Sequence, residues 1–142
     1  MSQKNPHLYV APGAHGRGVF CGVDLKVGEI IEICPVLVVP KEETPLLDET
    51  ILYNYVFIWG DDDEEGAIVF GYGSMYNHAY EPNAEYKADY EDDTFTVYAL
   101  KDIPAGEEIS INYNGDPSNK KLVWFDIEDV WLLQSNFDPE SK

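Results

Sequence analysis

Asn77-His78-Ala79-Tyr80-Glu81-Pro82-Asn83 is the stretch whose reading decides the fold of this chain. An amide and an imidazole stand side by side, after Tyr76 and before Pro82. Such a loop offers directional hydrogen bonds to a purine or a polar ligand tail; taken alone, an Asn-His pair more often satisfies its own loop backbone. Two further pieces change its meaning. His15-Gly16-Arg17-Gly18-Val19-Phe20 lies upstream, and Gly106-Glu107-Glu108-Ile109-Ser110-Ile111-Asn112-Tyr113 lies downstream. Gly16 and Gly18 flank Arg17 just before a strand, where glycine lets backbone approach a ligand closely. This is not a dinucleotide fingerprint, because the third glycine and the following helix are missing. Tyr113 ends an alternating strand, where a tyrosine either joins the core or turns its hydroxyl into a cleft.

The segments between these pieces read mostly as short strands. Val19–Cys21 and Glu29–Val39 carry β-branched and apolar residues, with Gly28 as a turn before the second. Pro35 interrupts that run and predicts an edge, a bulge or a break. Leu47, Ile51, Leu52, Tyr55 and Val56 recur as on a helix face, with Thr44 or Asp48 as cap, while Tyr55–Trp59 also reads as extended. Asp61-Asp62-Asp63-Glu64-Glu65 is a solvated loop, and it lacks the spacing of a calcium-binding EF-hand. Ala67–Phe70 is a strand before the Gly71-Tyr72-Gly73 turn. Ala84–Tyr90 and Thr94–Leu100 make a hairpin about Glu91-Asp92-Asp93, and Ile109–Tyr113 is a further strand. Asp116-Pro117 has the form of a helix start, and the segment to Leu133 reads as helical or irregular. The reading is one mainly β domain with short helices.

Composition limits the function. The 142 residues, 44% of them hydrophobic, suit a single core. A net charge of −18 repels phosphate backbones, so direct nucleic-acid binding is not expected, and it attracts Lys- and Arg-rich partners. Cys21 and Cys34 have no zinc spacing and read as buried thiols of a reducing compartment. Neither a signal peptide nor a run of about 20 apolar residues is present, which predicts a soluble intracellular protein without membrane contact, cytoplasmic or, in a eukaryote, nuclear.

In order and separation, the three pieces resemble the SET domain, the S-adenosylmethionine-dependent protein-lysine methyltransferase family. His15-Gly16-Arg17-Gly18-Val19-Phe20 resembles its first cofactor loop, and Gly28-Glu29-Ile30-Ile31 the strand that follows. Tyr76-Asn77-His78-Ala79 with Pro82-Asn83-Ala84 resembles the Asn-His-Ser and Pro-Asn signature. Gly106 to Tyr113 resembles the Gly-Glu-Glu to Asp-Tyr signature. The resemblance runs from about Leu8 to Tyr113. It implies a β-clip-like fold of several small sheets with a C-terminal pseudoknot: a core of about 8–115, a covering segment 116–135 and a tail 136–142.

By that resemblance His15, Gly16, Arg17, Gly18, Tyr76, Asn77 and His78 hold S-adenosylmethionine. Tyr113 is the catalytic-site tyrosine and Tyr55 a second aromatic of the site. Tyr72, Trp124 and Phe125 are candidates for the lysine channel, with core packing the plainer reading of Tyr72. Ala79 and Asn112 depart from the family's usual Ser and Asp. No cysteine follows Cys34, so the cysteine-rich zinc site that closes many family members is not expected, and no metal is. Trp124, Phe125 and Trp131 are candidates for an aromatic lid instead. The acidic loops suit a lysine-bearing basic protein or peptide, such as a histone, histone-like or ribosomal protein. A silent SET-like domain that binds a basic partner is the rival reading, and monomer and homodimer both stay open.

Overall fold

Strands follow wherever apolar and polar residues alternate, and tight turns join them. The computed structural model describes residues 8–123. The strands are β1 (Leu8–Gly13), β2 (Gly16–Cys21), β3 (Ile30–Val39), β4 (Phe57–Trp59), β5 (Glu65–Val69), β6 (Asn77–His78), β7 (Ala84–Asp89), β8 (Thr94–Ala99) and β9 (Glu108–Ile111). They form a four-stranded sheet, β1-β2-β9-β6, and a five-stranded sheet, β4-β5-β3-β8-β7. The mainly β fold with few helices is therefore as expected. Its core is the inward set of both sheets, with Val19, Ile31, Phe95, Val97, Ile109 and Ile111 fully buried. Among the described residues no helix is long and apolar enough to cross a membrane.

Three local differences have physical causes. β1 carried no strand signal, because none of its residues is buried and it contains Pro12; it is a sheet edge, where proline is tolerated. Pro35 does not break β3. The strand pairs with β8 as far as Pro35 and with β5 from Val36 onward, so the residue that lacks an N–H stands where the ladder changes partner. The expected bulge lies earlier, between Ile30 and Glu32.

The helix read over Leu46–Phe57 is instead two short turns. α1 (Thr44–Leu47) ends at Asp48, and a 3-10 turn (Ile51–Asn54) is capped by Thr50, whose hydroxyl accepts from the Leu52 amide at 3.1 Å. Neither turn buries a residue, so the apolar stripe gains no packing to stabilise a longer helix. Phe57 then pairs with Ala67 and packs on Phe95 at 5.0 Å, which draws the chain into β4.

The signature loop is tied to the last strand. β6 runs parallel to β9, Asn77 opposite Ser110 and His78 opposite Ile111. Asn83 Nδ2 donates to the Glu108 carbonyl at 2.8 Å, and the Ser110 amide donates to Asn83 Oδ1 at 2.8 Å. The Asn83 side chain thus does the work of a missing strand residue. Beyond β9, buried Asn112 donates to the Asn119 carbonyl at 2.6 Å and accepts from the Asn114 amide at 2.9 Å. The Val123 amide donates to the Tyr80 hydroxyl at 3.1 Å. Residues 112–123 are thereby held back against the 78–83 loop. Asp116-Pro117 starts no helix within the described residues: Asp116 Oδ1 accepts from the Ser118 amide at 2.9 Å and closes a turn. Trp124, Phe125, Trp131 and the tail lie outside the described residues.

Candidate active site

Two hollows meet at Tyr113. The first, of about 1060 Å³, is walled by His15, Gly16 and Arg17 on one side and by Asn77 and His78 on the other. The second, of about 780 Å³, runs along β4 and β7. Asn54, Tyr55, Ser74 and Tyr113 line both, so they form the junction. The structure thus brings together residues that are far apart in sequence. Gly16, at φ +88°, has open space where a Cβ would stand; the loop needs its backbone conformation, which other residues adopt at a cost.

Gly18 is a glycine for a different reason. A Cβ there would overlap the Glu108 carboxylate and come within 2.7 Å of Asn77 Nδ2. A Cβ at Gly13 would lie 2.5 Å from Glu108 Oε1. Both glycines make room for the Glu108 side chain. Asn77 Nδ2 donates to Glu108 Oε2 at 2.8 Å and to the Arg17 carbonyl at 3.1 Å. One amide therefore ties the 15–18 loop, the signature loop and β9 together.

His78 holds the backbone of Tyr113. Its Nδ1 accepts from the Tyr113 amide at 3.0 Å, which makes the imidazole neutral with its proton on Nε2. Its ring stands 5.1 Å from the Tyr113 ring and 4.3 Å from that of Tyr80. The Tyr113 hydroxyl donates to the Tyr76 carbonyl at 2.6 Å. Burial first, then the neighbouring Tyr55, Glu108 and Tyr86, push its pKa up from the usual tyrosine value. It is a neutral phenol at physiological pH, and with its one proton engaged its oxygen is suited to accept.

Two residues expected at the site are placed elsewhere. Tyr76 is fully buried, and its hydroxyl donates to Glu32 Oε1 at 2.8 Å. It lines neither hollow and contributes its carbonyl to Tyr113. Tyr72 is also outside both; its hydroxyl donates to the Leu8 carbonyl at 3.1 Å, so it braces β1 rather than the channel. Trp124 and Phe125 lie outside the described residues.

Sequence reading missed the residues that hold this frame. Glu32 receives the Tyr76 hydroxyl and the Tyr72 amide, the latter at 3.0 Å, and so anchors the turn that leads into Asn77. A lone carboxylate between Ile31 and Ile33 was the available signal. Burial, and after it Glu32, also hold the Cys34 thiol pKa well above its ordinary value, which leaves the thiol unreactive. Tyr86 lines the second hollow, stacks on Phe95 at 4.4 Å and donates to the Tyr113 carbonyl at 3.3 Å. Burial pushes its pKa up to about 12.

The SET domain family matches residues 16–114. The histone-lysine N-methyltransferase, H3 lysine-37 specific, of Schizosaccharomyces pombe is 35% identical over 114 residues, 80% of this chain and 72% of the relative. The protein-lysine N-trimethyltransferase SMYD5 of Gallus gallus is 32% identical over 112 residues, 75% of this chain and 26% of the relative. A solved Plasmodium falciparum chain, a candidate histone methyltransferase, superposes with a TM-score of 0.61 at 30% identity, over 77% of this chain and 98% of that one. A chain of ctPRC2, solved with H3K27me3 and H3K27M, shares the fold at 22% identity and a TM-score of 0.68, over 84% of this chain and 16% of that one. The chain belongs to the SET-domain family and, with it, to the protein-lysine N-methyltransferases.

Proposed function

We propose that this chain uses S-adenosylmethionine to methylate the side-chain amine of a lysine in a basic protein of the histone class. The observation that carries the reading is the junction: a hollow lined by the 15–17 loop with Asn77 and His78, and a second lined by Phe57, Trp59 and Tyr86, share Tyr55 and Tyr113. The residues fit the cofactor. The first hollow, about 1060 Å³, is large enough for it, Gly16 leaves backbone accessible, and the amide of Asn77 stands against the Glu108 carboxylate. An ammonium group suits that carboxylate, and the 15–18 loop with Asn77 and His78 suits the remaining polar groups. When bound, S-adenosylmethionine supplies an electrophilic methyl group on a sulfonium sulfur.

The chain's own residues position and desolvate. Tyr55, Tyr86 and Tyr113 wall the path for a lysine stem; loss of water there, and the like charge of a bound sulfonium, disfavour the ammonium form of the amine. The Tyr113 oxygen, its proton engaged by the Tyr76 carbonyl, is suited to accept an amine N–H and so aim the nitrogen lone pair. No covalent enzyme intermediate is needed. Net charge of −18 draws basic substrates, so association weakens with added salt. The relative named for a histone H3 lysine supports that substrate class and, with it, work inside the cell. Calorimetric titration with S-adenosylmethionine, followed by mass spectrometry of histones and mixed basic proteins, tests the reading. Absence of cofactor binding refutes it. Binding without turnover across a broad panel supports the silent, partner-binding alternative.

A further inference from the structure

The second hollow does not stop at the junction. It continues along β4 from Tyr55 past Phe57 to Trp59, and beyond Trp59 it reaches Tyr90 and Asp63. The Tyr90 ring stands edge-on to Trp59 at 5.0 Å, yet Tyr90 is 41% exposed, so its ring keeps an open surface. Trp59 is fixed by its indole N–H, which donates to Asp93 Oδ1 at 3.3 Å. Asp63 is exposed, sits at φ 58° in a turn, and its carboxylate makes no hydrogen bond or ion pair with any described residue. Burial first, then the charges of Asp63 and Asp61, raise the pKa of the Tyr90 hydroxyl, so the field of both carboxylates reaches this ring.

Lys87 lines the same hollow and, with Asp61 and Tyr90, a neighbouring one, and its ammonium stands over the Tyr98 ring, 5.5 Å from the centroid. Lys121 lines the second hollow alongside Gly115 and Asn119, on the segment beyond β9. The Tyr90 end therefore pairs an exposed aromatic ring with a carboxylate unpaired among the described residues, while the Lys87 ammonium is engaged by Tyr98 and Lys121 stands on the segment beyond β9.

We propose that Tyr90 and Asp63 form a subsite for a second cationic side chain of the substrate, an arginine or lysine two to four residues to one side of the target lysine. The inference rests on the methyltransferase reading for its direction: the target lysine enters at Tyr113, which stands 5.8 Å from Phe57. An extended peptide alongside β4 advances about 3.3 Å per residue and returns to the same face every second residue. Trp59 is two residues beyond Phe57, and Tyr90 lies one ring further. A cation over an aromatic face beside a carboxylate matches the chemistry of that place.

The test is a set of labelled peptides, each with one lysine in a neutral background and a single arginine scanned over five positions on either side. Affinity by fluorescence anisotropy and methylation by mass spectrometry are read separately. Binding about five- to tenfold tighter is expected with arginine at two to four positions on one side only. In Asp63→Asn and in Tyr90→Ala that ratio falls toward one. Glu42→Gln makes the same charge change as Asp63→Asn at an exposed residue that lines neither hollow, and keeps the ratio. A preference that survives Asp63→Asn, that Glu42→Gln erases equally, or that is the same on both sides overturns the proposal. One-sided binding without methylation instead refutes the methyltransferase reading and leaves the subsite standing.

Discussion

Gly18→Ala tests the frame of the site with a single methyl group. The new Cβ would overlap the Glu108 carboxylate and stand 2.7 Å from Asn77 Nδ2, closer than any ordinary carbon contact. Backbone does not obstruct it; the obstruction is the far ends of two side chains, Glu108 foremost and Asn77 behind it. Glu108 therefore swings aside rather than β2 moving. The swing breaks the 2.8 Å bond from Asn77, whose carboxylate acceptor makes it worth about 1.5–3 kcal/mol. If this strain is expressed in cofactor binding, affinity falls about 10- to 150-fold, at 1.4 kcal/mol per factor of ten. The assay is a double-mutant cycle with Glu108→Ala, read by calorimetric titration of S-adenosylmethionine and by urea midpoints. With the carboxylate gone, the Asn77 amide has lost the acceptor that holds it 2.7 Å from the new Cβ and can turn aside, so Gly18→Ala costs less in that background. The expected coupling is about 1–3 kcal/mol. Additive effects would refute the claim that Gly18 is glycine to accommodate Glu108.

Four further outcomes are expected. Asn77→Ala releases the 15–18 loop from β9 and weakens S-adenosylmethionine binding about 10- to 100-fold, whereas Tyr113→Phe keeps affinity within about threefold and slows methyl transfer at least tenfold; calorimetry and single-turnover rates separate them, and exchanged phenotypes would overturn the assignment of roles. Asn83→Ala orphans the Ser110 amide and the Glu108 carbonyl together and lowers stability by about 2–4 kcal/mol in urea denaturation. Trp124→Ala reduces methyl transfer or substrate affinity if the C-terminal aromatics act as a lid, and unchanged kinetics would rule the lid out. Tyr86 has a folded pKa of about 12 against an ordinary value near 10. Below pH 10 both states keep its proton and the stability it contributes is fully present. Between pH 10 and 12 only the unfolded chain ionises, so stability falls by on the order of 2 kcal/mol, and Tyr86→Phe flattens that loss in urea midpoints taken from pH 9 to 11.

Strand patterning and the order of the three motifs were legible because each is local. The β7–β8 hairpin shows why: alternation specifies its faces and an acidic turn its end, where Asp89 Oδ1 accepts from the amides of Glu91 and Asp92, each at 3.0 Å. β1 was illegible because an exposed edge strand needs no alternation. The Leu46–Phe57 stripe misled because apolar spacing cannot show whether a partner face exists. At the site, the sequence marked Asn77, His78 and Tyr113 as a group, but not what each touches. Only the tertiary structure decided that Asn77 spans Arg17 and Glu108, that His78 grips the Tyr113 backbone, and that Tyr76 offers a carbonyl instead of its ring. Those contacts join residues 31 to 60 positions apart. Local propensity is a property of neighbours along the chain. A carboxylate that needs two glycines to make room for it is a property of how β2 and β9 lie against each other.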